Sequence, residues 1–412
     1  MTQYFADQRD MLLTMDAICV ESLSSCRHGF GLVRPEMIIL IDAALAFCIV
    51  ASLLHVASAV VVLGRVCRNR TAPSPTMNVA VSIVRPLCGI ENFSELTLRS
   101  TFQLDYSRYE VVFCVASPSD PVIPLVRRLI DEYPHIASRF LIGNDRISDN
   151  PKLNNVVKGW DAAEHAWLVM ADSNVPMPTD YLHRLLGAWR RDTGLVSSPA
   201  VGCCPDGAWA ELECAFLNTY QVRWQCFADT IGIGFAQGKT LLFHKQVLQA
   251  AGGVRSLATE LAEDAAATKV VRDQGLRVRV VDRPFSQPLG KRTAAEVWRR
   301  QLRWARLRRE TFILYFLPEL LAGGVLPIAA FGVLDWAYGW PFISSLLAFT
   351  AGWYGTETLL AGAAGWHLSW ASPAAWLVRD LLLPGLWLAS WLGNDFVWRD
   401  TPMRVADRGS AA

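Results

Sequence analysis

The chain has 412 residues, of which 52% are hydrophobic and 19% are charged, and its formal net charge is +1. This apolar share exceeds that of an ordinary soluble domain, and the balanced charge argues against a general nucleic-acid-binding role. The apolar residues are clustered in separate stretches, which indicates membrane segments joined to a soluble domain.

The first predicted element is a transmembrane anchor over residues 37–66. No Asp, Glu, Lys or Arg occurs between Ala43 and Gly64, and this stretch is long enough to cross a hydrocarbon core about 30 Å thick. Three basic residues follow: Arg65, Arg68 and Arg70. By the positive-inside rule, the domain after the anchor is expected to face the cytoplasm. Residues 1–36 show no clear period, and we interpret them as an extension that is disordered or untranslated.

Residues 75–290 alternate short apolar runs with helical patterns, which predicts an α/β domain whose sheet is mainly parallel. The predicted strands are Val79–Val84, Tyr109–Val115, Ser138–Ile142, Ala166–Met170, Leu195–Pro199 and Leu276–Val281. The predicted helices are Phe93–Thr101, Pro121–Glu132, Leu153–Ala163, Thr179–Trp189, Ala208–Ala228, Lys245–Ala251 and Glu263–Gln274.

A basic amphipathic helix is predicted over residues 291–310. The stretch from Lys291 to Arg309 holds eight Lys or Arg residues against one Glu, with apolar residues at helical spacing, so it is expected to lie at the membrane surface.

Residues 311–400 form a predicted C-terminal membrane region, followed by a tail over 401–412. The region has three apolar stretches: 312–334, 336–356 and 374–398. The third is interrupted by Arg379, Asp380 and Pro384. The basic residues Arg399, Arg404 and Arg408 favour a cytoplasmic tail, so an even number of crossings is expected and one stretch is re-entrant or interfacial.

Two aspartates follow predicted strands of the sheet. Asp172 lies at the carboxyl edge of a strand, where open α/β folds bind ligands, and its carboxylate suits a Mg²⁺ or Mn²⁺ ion carried by a nucleotide diphosphate. Asp120 follows the second strand and could accept hydrogen bonds from a base or ribose. Both residues also suit a helix cap or turn, and for Asp120 alone capping is favoured.

Three further polar residues begin predicted helices. Lys152 follows Asn150–Pro151, where backbone N–H groups and an ammonium could together hold a pyrophosphate. Glu263 and Asp264 open another helix, where a carboxylate can act as general base and also complements the helix dipole.

The predicted basic helix carries Arg300, Arg303 and Trp304. The two arginines share a helix face, so both can reach one diphosphate, and the tryptophan is placed as a wall of the acceptor site. Contact with lipid headgroups is the alternative for these side chains. The sequence Gly238-Lys239-Thr240 lacks the first glycine of a P-loop, and Gly232-Ile233-Gly234 lacks the third glycine of a dinucleotide fingerprint, so neither motif is assigned.

Taken in order, these motifs resemble those of the ceramide glucosyltransferases, the family 21 glycosyltransferases of GT-A fold. The resemblance covers about Val79 to Arg309 and includes Asp120-Pro121, Asn150-Pro151-Lys152, Asp172-Ser173, Glu263-Asp264 and Arg300-x-x-Arg303-Trp304. It implies that Asp120 and Asp172 bind the donor and its metal, that Asp264 is the general base, and that the last three residues form the (Q/R)xxRW motif. Asn174 stands where an acid is expected, which leaves a metal one carboxylate fewer.

The resemblance implies inverting transfer of glucose from UDP-glucose to the primary hydroxyl of ceramide by a bacterial-type enzyme of the inner membrane. The sugar and the lipid stay open, since another UDP-sugar, diacylglycerol or a hopanoid would suit the same motifs. A processive polysaccharide synthase also shares such motifs, although few membrane segments are available here for a polymer channel. A non-catalytic membrane protein that binds lipid or nucleotide is the remaining alternative, and the presence of Asp264 argues against it.

Overall fold

The computed structural model describes residues 35–68, 78–398 and 401–404. The predicted extension up to residue 34, Arg70, Arg399, Arg408 and most of the tail lie outside these residues. The chain divides into two compact units, each described by itself. The larger comprises the described residues of Leu54–Gly323 and Tyr354–Ala412, and the smaller those of Met1–Leu53 and Gly324–Trp353.

A seven-stranded sheet forms the centre of the larger unit, in the order β3-β2-β1-β4-β7-β5-β8. Its strands are β1 Val81–Leu87, β2 Tyr109–Val115, β3 Ala137–Ile142, β4 Trp167–Ala171, β5 Thr193–Ser197, β7 Thr240–His244 and β8 Arg277–Val280. All neighbouring strands are parallel except that β7 is antiparallel to both β4 and β5. The prediction of an α/β domain with a mainly parallel sheet is therefore confirmed.

The prediction missed β7 and two small additional sheets. These sheets pair β6 Val201–Asp206 with β9 Ser286–Lys291 and β10 Asp395–Trp398 with β11 Thr401–Arg404. Pro205 and Pro288 lie inside β6 and β9, and proline disfavours a strand assignment because it cannot donate to a ladder.

Helices cover both faces of the large sheet. Leu98, Leu129 and Tyr181 are buried against one face, whereas Leu153 and Ala266 belong to the core on the other. The first set of helices is Ser94–Arg99, Ile123–Glu132 and Tyr181–Gly187, and the second includes Pro151–Ala162, Lys245–Gln249 and Glu263–Asp273. These bounds lie within a few residues of the predicted ones, because apolar periodicity is a local property of the sequence.

The predicted long helix Ala208–Ala228 contains an internal change of winding. It runs as α-helix over Ala208–Ala215, as a π turn over Phe216–Val222, and again as α-helix over Arg223–Thr230. Such π turns are rare and occur frequently at functional sites.

Among the described residues, Pro35–Cys67 is the one continuous helix long and apolar enough to cross a membrane. A second span is counted only if Ile313–Leu321 and Val325–Tyr338 are taken together. The helix itself is Pro35–Arg68, close to the predicted anchor, and it supports membrane association. Its Arg65 forms ion pairs with Asp229 at 2.7 Å and with Asp282 at 3.1 Å, both in the larger unit.

The C-terminal apolar stretches do not coincide with single helices. The first is broken after Leu321, where Gly323 and Gly324 disfavour helix. The later helices are Phe342–Ala364 and Ser372–Trp391. The second of these continues through Arg379, Asp380 and Pro384, so the predicted interruption is wrong. The buried Arg379 guanidinium is paired at 2.8 Å with both Glu357 and Asp380, which allows the charges inside the helix.

Candidate active site

Asp172 follows β4 directly and forms the centre of a charged cluster at the carboxyl edge of the sheet. Its Oδ1 lies 2.6 Å from Lys152 Nζ, and its Oδ2 lies 3.0 Å from Lys239 Nζ. Burial alone would raise the pKa of Asp172, but the two ammonium groups outweigh it and hold that pKa well below its usual range. Asp172 is therefore ionised, and two cations lie beside it.

Lys152 lies between Asp172 and Glu263, the first residue of the helix Glu263–Asp273. Asn150 caps the helix of Lys152 by accepting from its backbone N–H, and the Asn150 amide donates to Glu263 Oε2 at 2.8 Å. Lys152 Nζ lies 2.7 Å from Glu263 Oε1 and also donates to the Gly238 carbonyl. Burial lowers the pKa of Lys152, yet the two carboxylates outweigh it and raise that pKa above its usual value, so the side chain stays charged.

Asp264 begins the helix Glu263–Asp273 and accepts a hydrogen bond from the Gly238 backbone N–H at 2.7 Å. Burial, together with the neighbouring Glu263 carboxylate, raises the pKa of Asp264 to about 6. A carboxylate with that pKa is a stronger proton acceptor than an ordinary aspartate and remains ionised at neutral pH. The arrangement therefore suits a general base.

Gly238 lies between these groups and leaves no room for a side chain. A Cβ at this position would be 2.7 Å from Glu263 Oε1, 3.1 Å from Lys152 Nζ and 3.3 Å from Asp264 Oδ2. The glycine therefore permits the close approach of the lysine and the two carboxylates.

Lys239, Asn174 and Glu91 belong to this cluster; Lys239 and Glu91 were not predicted from the sequence, and Asn174 was noted there only for the acid it replaces. Lys239 Nζ donates to Asn174 Oδ1 at 3.1 Å, and the Asn174 amide donates to Glu91 Oε2 at 3.1 Å. The sequence around Lys239 indicates only an incomplete P-loop motif. The signal that could have found it is strand β7, whose antiparallel pairing with β4 brings the residue before β7 alongside Asp172.

Asp120 lies on the loop after β2, where its carboxylate is engaged by backbone amides. It accepts from Gly89 N at 3.1 Å and from Val122 N at 2.9 Å, and so it ties the loop after β1 to the turn before the next helix. Asp120 thus forms a turn before the helix Ile123–Glu132, and it is not the helix cap predicted for it when taken alone, because Val122 occupies the N-cap position.

Arg300 and Trp304 lie on the helix Ala294–Thr311, which we call the motif helix. It begins with a capping box formed by Thr293 and Glu296. Arg300 pairs with the fully buried Glu213, whose second oxygen lies 3.1 Å from Arg292 Nε. Arg303 follows three residues later and is half-buried.

The Trp304 side chain packs on apolar residues beside Arg300. It contacts a small apolar cluster that consists of Ala210, Cys214, Leu217 and Leu289, and its ring lies 6.0 Å from the Arg300 guanidinium carbon. Burial lowers the pKa of Lys239, and the positive charge of Arg300 lowers it further. The negative charge of Asp172 opposes this shift but does not cancel it. The motif helix therefore adds positive charge to the Asp172 cluster.

A divalent cation fits this cluster only as part of a nucleotide complex. Within residues 35–68, 78–398 and 401–404, no three His, Cys, Asp or Glu side chains are grouped so as to hold a metal by themselves. Asp172, Asn174 and Glu91 do supply neighbouring oxygen atoms. Mg²⁺ is commonly held by one or two carboxylates together with substrate phosphates, and such a site needs no larger protein cage.

Comparison with known proteins agrees with this architecture. The sequence profile of Glycosyl transferase family 21 matches residues 43–411. Ceramide glucosyltransferase 1 of Caenorhabditis elegans is 24% identical over 377 residues, which cover 88% of this chain and 80% of that protein. The ceramide glucosyltransferase of Komagataella phaffii is 36% identical over 134 residues, which cover 32% of this chain and 26% of that protein.

Among solved structures, a mannosyltransferase of Pyrobaculum calidifontis in complex with GDP-Man and Mn²⁺ is 19% identical, with a TM-score of 0.45 over 82% of this chain and 98% of its own. The class defined by the sheet and the family profile is a hexosyltransferase with a GT-A-type α/β domain and an apolar N-terminal helix. The chain belongs to Glycosyl transferase family 21, whose profile matches nearly its whole length.

Proposed function

We propose that this protein transfers glucose from UDP-glucose to the primary hydroxyl of ceramide and forms β-glucosylceramide. The observation that carries the proposal is the position of Asp264, whose raised pKa suits a general base and which shares Gly238 with the lysine on Asp172. The sugar and the lipid are supported by the names of the relatives, which are ceramide glucosyltransferases.

The proposed reaction is a direct displacement. Asp264 takes the proton of the acceptor hydroxyl, and the oxygen forms a bond to the anomeric carbon from the face opposite UDP. The bond between that carbon and the β-phosphate oxygen breaks, and its electron pair leaves with UDP. One displacement inverts the configuration, which gives a β-linked product from an α-linked donor.

The leaving diphosphate gains negative charge, and the residues around Asp172 are suited to stabilise it. Lys152 and Lys239 are fixed by carboxylates and Arg300 by Glu213, so little reorganisation is needed when the charge develops. A Mg²⁺ or Mn²⁺ ion held by Asp172 and the diphosphate would supply further neutralisation of the phosphate charge. We assign Asp120 to the nucleoside end of the donor, Arg303 to the diphosphate, and Trp304 with Glu263 to the walls of the site.

We further propose that the protein lies in the cell inner membrane with the catalytic domain facing the cytoplasm. The basic residues after the anchor support this orientation, as does the cytoplasmic location expected of a nucleotide-sugar donor. In this layout residues 37–66 form the anchor, 75–290 the catalytic domain, 291–310 the interfacial helix and 311–400 the C-terminal membrane region.

The test is a transfer assay on detergent-solubilised protein with radiolabelled UDP-sugars, offered ceramide or diacylglycerol, with and without Mg²⁺ or Mn²⁺. The proposal expects glucosylceramide that disappears in Asp264→Asn and persists in Asp273→Asn, an acid at the other end of the same helix. A different sugar or lipid would change the substrate assignment. A polymeric product would support a polysaccharide synthase, and binding without transfer would support the non-catalytic alternative.

A further inference from the structure

We propose that a cavity beside the motif helix binds the amide group of the acceptor lipid, and that Gln221 and Gln301 recognise it. This inference rests on the proposed function and adds to it a basis for choosing an N-acylated lipid over an ester-linked one. The cavity contains about 340 Å³ of empty space, including the part open to solvent. Its apolar and aromatic walls are formed by Phe216, Tyr220, Phe316, Leu383, Leu386 and Trp387.

The two glutamines in this cavity have unmet hydrogen-bonding capacity. Gln221 Nε2 donates to Gln301 Oε1 at 3.0 Å, which satisfies one group on each residue. The remaining Gln221 Oε1 and Gln301 Nε2 are buried and have no hydrogen-bond partner. Exchanging the O and N positions of both amides would again leave one donor and one acceptor, so the conclusion does not depend on their assignment.

A buried donor or acceptor left without a partner destabilises a protein, and native structures normally satisfy such groups. A secondary amide has complementary groups, since its N–H can donate to Gln221 Oε1 and its carbonyl can accept from Gln301 Nε2. An ester has the carbonyl but no N–H. The glutamine pair therefore favours an N-acyl lipid such as ceramide over diacylglycerol.

The charged side chains that line the cavity do not compete with the glutamines for the lipid amide. Arg308 and Glu319 also line it, but they satisfy each other through two hydrogen bonds, Nε to Oε1 at 2.6 Å and Nη2 to Oε2 at 2.8 Å. The apolar side chains around them suit the hydrocarbon beside the amide.

The cavity is bordered by the motif helix and by the C-terminal apolar helix Ser372–Trp391. Gln301 is the next residue after Arg300, whose charge acts on Lys239, whereas Leu383 and Trp387 belong to Ser372–Trp391. Gln221 lies in the π turn Phe216–Val222, which lets a side chain leave the regular helical register at this point. A lipid entering along the apolar helix would meet the glutamines next to the motif arginine.

The experiment compares three acceptors: ceramide, ceramide methylated at its amide nitrogen, and diacylglycerol. The unmodified protein is expected to prefer ceramide over the methylated form by about tenfold or more in kcat/KM. In Gln301→Met and Gln221→Met this preference should fall to about twofold or less, with the KM for UDP-glucose unchanged. The exposed Gln249→Met is the matched control and should keep the full preference.

The outcomes separate this inference from the proposed function. If the unmodified protein glucosylates ceramide and both glutamine variants keep the wild-type preference against the methylated form, the amide site is wrong and the proposed function stands. If the protein transfers sugar to no lipid, the proposed function itself fails. If one variant does not fold, as judged by loss of UDP binding, the other glutamine variant decides the question.

Discussion

The backbone N–H of Gly238 donates to Asp264 Oδ2 across 2.7 Å, while the carbonyl of the same glycine accepts from Lys152 Nζ. One residue thus fixes both the proposed base and a lysine of the proposed donor site. Substitution of Gly238 by alanine places a Cβ 2.7 Å from Glu263 Oε1. We expect kcat to fall by about 100-fold, because the reacting groups are displaced by a fraction of an ångström to an ångström. Gly355→Ala is the control, since nothing lies within 4 Å of a Cβ there; equal activity of the two variants would contradict the assignment.

The rate should depend on the ionisation of Asp264. Because its pKa is raised to about 6, kcat/KM should be constant at neutral pH and fall about tenfold per pH unit below 6. Asp264→Asn should lose about 10²–10⁴-fold in activity and show no such limb in its residual rate. A pH profile of kcat/KM for both proteins checks this, and a limb that persists in the variant would assign the titration to another group.

Asp264→Asn should lower activity without lowering the stability of the fold at pH 8. A folded-state pKa above the usual value means that the folded protein binds this proton more tightly, so the stabilising contribution is present in acid and is lost as the pH rises through about 6. At pH 8 the asparagine removes an ionised carboxylate next to Glu263. We therefore expect Asp264→Asn to melt at the wild-type temperature or above at pH 8, and a lower Tm would show that the carboxylate stabilises the fold.

Lys239→Met tests a residue that sequence reasoning did not assign. It removes a cation from Asp172 and Asn174, and we expect the KM for UDP-glucose to rise about tenfold, as for loss of one charge-assisted hydrogen bond. Lys269→Met removes a surface lysine paired with Glu260 and is the charge-matched control. A wild-type KM in Lys239→Met would remove this lysine from the donor site.

Glu213 forms ion pairs with Arg300 and Arg292, so we expect Glu213→Gln to lower both the stability of the fold and kcat. Breaking a buried ion pair costs about 3–5 kcal/mol, and we expect a clear decrease in Tm together with a lower kcat. Glu95→Gln is the control, because its exposed pairs with Arg99 and Arg128 contribute little. Thermal unfolding in detergent and steady-state kinetics measure the two effects, and equal Tm values for the two variants would contradict the role of Glu213.

The parts of the site that were predictable from sequence follow from local chemistry. Asp172 could be placed because a polar residue directly after a buried strand reaches the carboxyl edge of a parallel sheet. Lys152 could be placed because Asn150 and Pro151 mark a helix start. Both inferences need only a few neighbouring residues, and the structure brings these two side chains into contact.

The other residues of the site could not be predicted, because their positions depend on contacts between segments that are distant in the sequence. Lys239 reaches Asp172 because β7 runs antiparallel to β4, a direction that the short run Thr240–His244 does not reveal. Glu213 and Arg300 are 87 positions apart in the sequence, and the residues around each give no indication of their contact. The glutamine pair was invisible for the same reason, since an unpaired amide is defined only by what surrounds it in the fold.

The ion pairs of Arg65 with Asp229 and Asp282 have a consequence for how the acceptor is found. They join the last turns of the helix Pro35–Arg68 to the sheet-bearing unit by charge pairs, in addition to the covalent chain. Under the proposed function the acceptor lipid is confined to the membrane, so it would reach the site by lateral diffusion. The search is two-dimensional, and the area density of lipid in the leaflet, rather than its bulk concentration, sets the encounter rate.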